Sequence, residues 1–216
     1  MAQKSRPNES KEQTYKLDVD LPAVEKGTLK QEVYNQVNII VSPEGKIWLQ
    51  MSNDSSDKWS NKTMRMELLD KVAKEYNDRH PDQVSFTQRQ KEAFAAQSVF
   101  GVPLSQMGKF LDLYSRDGGE EIMEKWMNGE FEDDSMLSGI PISWECNEDN
   151  PNEFQLWIKA IRQTNNDNLK QTLRDGTGLA IKADKNTSYE TIRMVMENLQ
   201  AIKQNKFTFL TTLKSE

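Results

Sequence analysis

Gly178 to Lys214 reads GLAIKADKNTSYETIRMVMENLQAIKQNKFTFLTTLK, which fits two strand-like segments and a helix into 37 residues. Thr187 followed three residues later by Glu190 has the pattern of a capping box, in which hydroxyl and carboxylate satisfy free amides at a helix start. Beyond it Ile192, Val195, Met196, Leu199 and Ile202 recur at three- and four-residue spacing, with Arg193, Glu197 and Lys203 off the stripe. That periodicity predicts a helix with one apolar face. Leu179-Ala180-Ile181 and Phe207 to Leu213 are short, apolar or β-branched and bounded by Gly178, Asp184 and Asn205, as strands of a partly covered sheet are. Strand, helix and returning strand with short connections predict a right-handed parallel crossover. A chain that ends this way is committed to a sheet with helices on one face.

The partner strands of that sheet are sought upstream. Val37 to Val41 and Ile47 to Met51 flank Ser42-Pro43-Glu44-Gly45, where proline presets φ at the second turn position and glycine accepts a positive φ at the fourth. The first segment is apolar almost throughout, which predicts a central strand. Earlier, Thr14 to Asp20 alternates Tyr15, Leu17 and Val19 against Lys16, Asp18 and Asp20, a strand with one buried face that Leu21 and Pro22 bring to an end. Joined to the rest only by a polar stretch, it is free to pair with its own sheet or with that of a second copy. Residues 1–13 are polar and aperiodic, the composition of a disordered tether.

Between hairpin and crossover the period becomes helical. Leu68, Leu69, Val72 and Tyr76 share one side of a segment over 63–79. Thr87 with Gln90 repeats the capping-box pattern ahead of Phe94, and Pro103 opens a helix carrying Leu104, Met107, Phe110 and Leu111. Ile122, Trp126 and Met127 predict a further short helix. Asn150-Pro151-Asn152-Glu153 is another start signal, with Asn150 as cap and Pro151 in the first turn, before Phe154, Trp157, Ile158 and Ile161 at i, i+3, i+4 and i+7. The expected fold class is α/β of the α+β kind: a small mixed β-sheet from 14–51 and 147–216 with two helices on one face, plus an inserted helical subdomain at 52–146.

Composition excludes more chemistry than it offers. A net charge of −6 argues against a nucleic-acid surface, because phosphate neutralisation needs clustered Lys and Arg. A single cysteine, Cys146, forms no internal disulfide and no cysteine-based zinc cluster. The only histidine, His80, precedes Pro81 at an expected helix end, where a cation suits the helix dipole. Glu130, Glu132, Asp133 and Asp134 lack the alternating ligands and glycine of a calcium loop, and no phosphate-cradling glycine motif is present. No catalytic residue, cofactor site or metal site is therefore assigned. Asp184 stands at the carboxyl end of a strand, where open sheets place ligand-facing groups; its ordinary role is to accept amides in the turn.

Three stretches together resemble the ExbD/TolR biopolymer-transport family. Leu17 to Pro22, LDVDLP, is similar to its extended segment; Val37 to Val41 with Gly45 to Leu49 is similar to its first hairpin; Ile181 to Lys185, Tyr189 and Val195 to Leu199 are similar to its "AD…Y…vmd.l" signature. The segment Phe100-Gly101-Val102-Pro103 is similar to an element of longer members with a helical insertion. The resemblance implies a non-enzymatic periplasmic domain of an inner-membrane, proton-motive-force-driven complex serving TonB-type transport across the outer membrane. Its implied partners are a second copy of the chain, an ExbB-like channel subunit, a TonB-like protein and peptidoglycan, with no nucleic acid. It also implies a membrane anchor helix ahead of the LP segment that carries the proton-path aspartate, which makes Met1 a trimmed or late start. The expected partner contacts are Tyr15, Leu17, Val19, Leu21, Pro22, Asp184 and Tyr189. The alternatives are an α/β ligand-binding or enzymatic domain with a cleft between sheet and helical insertion, and a cell-wall binding module without a motor.

Overall fold

The turn Ser42–Gly45 sets the register of the sheet. Gly45 has φ 79°, and its N–H donates to the Ser42 carbonyl at 3.0 Å, so β1 (Gln36–Val41) returns antiparallel as β2 (Ile47–Ser52) with Val41 opposite Ile47. The structure, a computed structural model, describes residues 36–52, 58–116, 118–127, 130, 138–145, 147–184 and 186–210. The expected tether and the strand over Tyr15, Leu17 and Val19 lie outside them, and the described residues all fall within one compact unit, Val33–Glu216.

On the other side of β1 lies β4 (Leu179–Ala183), parallel, with Ile39 beside Ile181. Next to it β5 (Thr208–Leu210) is also parallel. A two-residue strand from the helical segment, β3 (Val99–Phe100), pairs antiparallel with β2 and completes the order β3-β2-β1-β4-β5. The sheet is mixed and β1 is its centre, as an almost wholly apolar strand requires. Alternation sorts the two faces. Val37, Ile39, Val41, Ile47, Leu49, Met51, Leu179 and Ile181 all point into one core, whereas Asn38, Gln50 and Lys182 share the opposite face. There Gln50 Oε1 accepts from Asn38 Nδ2 at 3.1 Å and from Lys182 Nζ at 3.4 Å.

Helices supply the rest of the core. These are α1 (Lys58–Asn77), α2 (Gln88–Ala96), α3 (Leu104–Arg116), α4 (Glu120–Met127), α5 (Glu153–Arg162), α6 (Asp167–Asp175) and α7 (Tyr189–Ala201). Phe94 of α2, Phe100 of β3 and Trp157 of α5 form one aromatic cluster with centroids 4.8 to 5.6 Å apart. The helical segment is therefore built onto the sheet: it lends it an edge strand and shares its core with α5. Trp126 and Trp157 are buried in this core, each contributing the large apolar area that dominates it, whereas Trp48 is buried on the opposite face of the sheet.

Two helix starts differ from expectation. The cap of α7 is Ser188, whose hydroxyl accepts from Thr191 N at 3.2 Å, because the Thr187 hydroxyl is engaged elsewhere and donates to the Val41 carbonyl at 3.3 Å. The cap of α5 is Asn152, which forms a reciprocal box with Gln155 at 3.1 Å in both directions; Pro151 thus precedes the cap. The box at Thr87 and Gln90 forms as its spacing predicts. Leu169 and Leu173 belong to a separate helix, α6, closed by Gly176 in the left-handed region at φ 92°.

Candidate functional site

The hairpin tip and the start of α7 meet at the carboxyl ends of β1 and β4. Asp184 N donates to the Val41 carbonyl at 3.2 Å, and the Asp184 carboxylate accepts from Asn186 N at 2.8 Å. This is the turn-closing role of aspartate, so one carboxylate oxygen is spent within the chain. Glu44 stands opposite, its carboxyl held below the usual range chiefly by the Ser42 side chain and its own amide, with Asp184 acting weakly the other way. The corner is an exposed, acidic end of the sheet beside Tyr189, which is 73% exposed.

From this corner the chain runs through α7 to β5 at the sheet border. Four large apolar side chains are exposed among the described residues: Trp144, Tyr189, Phe209 and Leu210, and three of these lie on the crossover. Phe209 is 49% exposed although it pairs with the fully buried Ile181, because β5 is the outermost strand and nothing among the described residues flanks it. Its ring meets Phe207 edge-on at 5.7 Å. A strand that is paired on one side and apolar on its surface is a template for a further strand. Of the expected contacts, Asp184 and Tyr189 are accessible here; Tyr15, Leu17, Val19, Leu21 and Pro22 lie outside the described residues. Phe209 and Leu210 were legible as strand residues, but only the topology reveals that their strand is the border.

A polar cleft lies elsewhere, between the end of α1 and the loop before α5, lined by Arg79, His80, Trp144, Asn147 and Asn150 among others. His80 sits just past α1 as expected, its ring stacked on Tyr76 at 3.9 Å and its Nδ1 3.0 Å from the Tyr76 carbonyl. Nearby, Glu153 accepts from Leu104 N at 2.9 Å and so satisfies a free amide at the start of α3. Burial pushes the Glu153 carboxyl up, with the Leu104 amide and the neighbouring His80 opposing. The Tyr76 hydroxyl is likewise raised, by burial first and then by Glu153 and Asp82. The histidine is thus engaged in a stacked helix end, and among the described residues no three His, Cys, Asp or Glu side chains converge to hold a metal ion.

A second cavity, of about 430 Å³, opens where β3 meets α3 and α4. Of its methionines, periodicity marks Met127 as part of a short helix without giving it a function, and does not single out Met123. Among the described residues no helix is long and apolar enough to cross a membrane. No family model, no curated protein and no solved structure matches the chain.

Proposed function

We propose that this chain is the non-enzymatic periplasmic domain of an ExbD/TolR-like component of an inner-membrane complex driven by the proton-motive force, of the type that powers TonB-dependent transport across the outer membrane. The observation that carries this reading is the sharing of one sheet by the hairpin and the C-terminal crossover, with β5 left at the border bearing exposed Phe209 and Leu210. An extended segment of a TonB-like protein adds to that border by backbone pairing, and Asp184 and Tyr189 offer a separate exposed contact at the corner beside the hairpin tip. A second copy of the chain, an ExbB-like channel subunit and peptidoglycan are the other partners, and the anchor helix lies outside the residues described.

The test is photo-crosslinking in the native envelope, with a photoreactive amino acid at Phe209 and, as control, at Glu75 on α1. An adduct with a TonB-like protein at Phe209 alone supports the reading. Equal adducts at both positions, or none at Phe209, overturn it. A second reading, an α/β ligand-binding domain, is favoured by the cavity between β3 and the α3–α4 pair.

A further inference from the structure

Gln97 follows the last turn of α2 and leads into β3. It is 2% exposed, and neither its Nε2 nor its Oε1 has a hydrogen-bond partner. Its backbone, by contrast, is firmly held. The N–H donates to the Phe94 carbonyl at 3.1 Å, the carbonyl accepts from the Arg65 guanidinium, and Arg65 also donates to the Met51 carbonyl at 2.6 Å. A carboxamide sealed from water with its bonds unmade is costly, and methionine would fill the same space without that cost. Buried polar groups are otherwise paired in folded proteins, so an orphaned one beside a cavity calls for a partner that comes from outside the chain.

The cavity adjoins it. Gln97, Val99, Tyr114, Met123 and Met127 line it together with the Glu124 side of α4, and its volume of about 430 Å³ lies in the range of small-molecule sites. The lining combines an aromatic ring, a branched aliphatic side chain and two adaptable thioethers. We propose that this cavity binds a small neutral molecule with a flat apolar body and an amide-type edge, a donor and an acceptor side by side as in a lactam, recognised by Gln97.

A turn about the terminal torsions of Gln97 brings the carboxamide from the wall to the ligand edge. Nε2 then donates to the ligand carbonyl, and Oε1 accepts from the ligand N–H. Val99, Met123 and Met127 cover the apolar body. Glu124, exposed at the rim, disfavours acids by like-charge repulsion. The site gives the ligand-binding reading a chemical class, and it makes no use of β5, so its failure and that of the transport reading are distinguishable.

The test is titration of the full chain with 2-quinolone, a lactam on a flat bicycle, and with 1-methyl-2-quinolone, in which the donor is blocked. The readout is the NMR spectrum of the Gln97 side-chain amide and the methionine methyls. Binding of 2-quinolone shifts the Gln97 amide pair and the Met123 and Met127 methyls, and the methylated compound binds about tenfold more weakly for the lost hydrogen bond. Gln97→Met abolishes the discrimination between the two compounds while raising the Tm of the free protein. Met123→Trp, which fills the cavity and leaves Gln97 in place, abolishes binding of both. Equal affinity for the two compounds, discrimination that survives in Gln97→Met, or no binding of 2-quinolone up to its solubility limit overturns the proposal.

Discussion

The Arg65 guanidinium donates to the Met51 carbonyl at 2.6 Å, and so pins the middle of the fold at the point where β2 ends. The same group serves the Gln97 carbonyl, and among the described residues no carboxylate pairs with it. Burial lowers its pKa below the ordinary arginine range, yet a guanidinium stays charged in proteins. Arg65→Ala strands two buried carbonyls, each losing a charge-assisted bond, and is expected to cost about 3 kcal/mol. Urea denaturation measures it; a loss below about 1 kcal/mol would mean that water replaces the guanidinium.

Glu153 gives the fold a pH dependence of definite sign. Its folded pKa is raised above the ordinary 4.5, by burial first. An acid of this kind contributes stability that is fully present below its unfolded pKa and is lost as pH rises through the folded value. Its place in the first turn of α5 acts in the opposite direction through the helix dipole, but burial dominates. Glu153→Gln keeps an oxygen for the Leu104 amide and removes the titration. From pH 4.5 upward the urea midpoint of the native protein is expected to fall relative to that of the variant. Parallel curves would show that the carboxyl titrates alike in both states.

Gly178 is hemmed in by backbone as well as by one side chain, so moving the side chain aside would not make room. A Cβ there would lie 2.6 Å from Leu173 N and 2.4 Å from Thr172 Oγ1. Its carbonyl meanwhile accepts from Val37 N at 2.8 Å and aligns β4 with β1. Gly178→Ala is expected to cost about 3 kcal/mol through overpacking, read from thermal unfolding. A Tm unchanged within error would mean that the start of β4 shifts without penalty.

Phe209 and Leu210 separate partner binding from folding. Lysine at both positions charges the open border and discourages strand addition, while exposed substitutions change stability by only about 0.5 kcal/mol. The double variant, with the photoreactive residue moved to Thr208, is expected to lose most of the partner adduct at an unchanged Tm. An undiminished adduct would place the contact elsewhere.

Legibility in the sequence followed the range of the interaction. The hairpin and α7 rest on turn chemistry and on three- and four-residue periodicity, all of it local, and they form within a residue or two of expectation. The caps were off by one residue at Ser188 and two at Asn152, because a neighbouring Thr or Asn offers the same chemistry and tertiary bonding decides between them. Nothing local marked Val99–Phe100 as a strand; two residues carry no period, and only pairing with β2 defines them. At the candidate site Asp184 and Tyr189 could be singled out from their place in the crossover. The exposure of Phe209 and the isolation of Gln97 could not, since both depend on what the rest of the chain leaves uncovered.

Val37 and Leu179 are register partners at the heart of the sheet although most of the chain lies between them. A ribosome therefore has to deliver α1 to α6 before the hairpin can acquire its parallel partner. Until then Ile39 and Val41 face solvent on one strand edge, and closing so long a loop is slow. The nascent protein is most prone to aggregate during that interval, and the helical segment, made of contacts close in sequence, is the part able to assemble first and shelter the waiting strands.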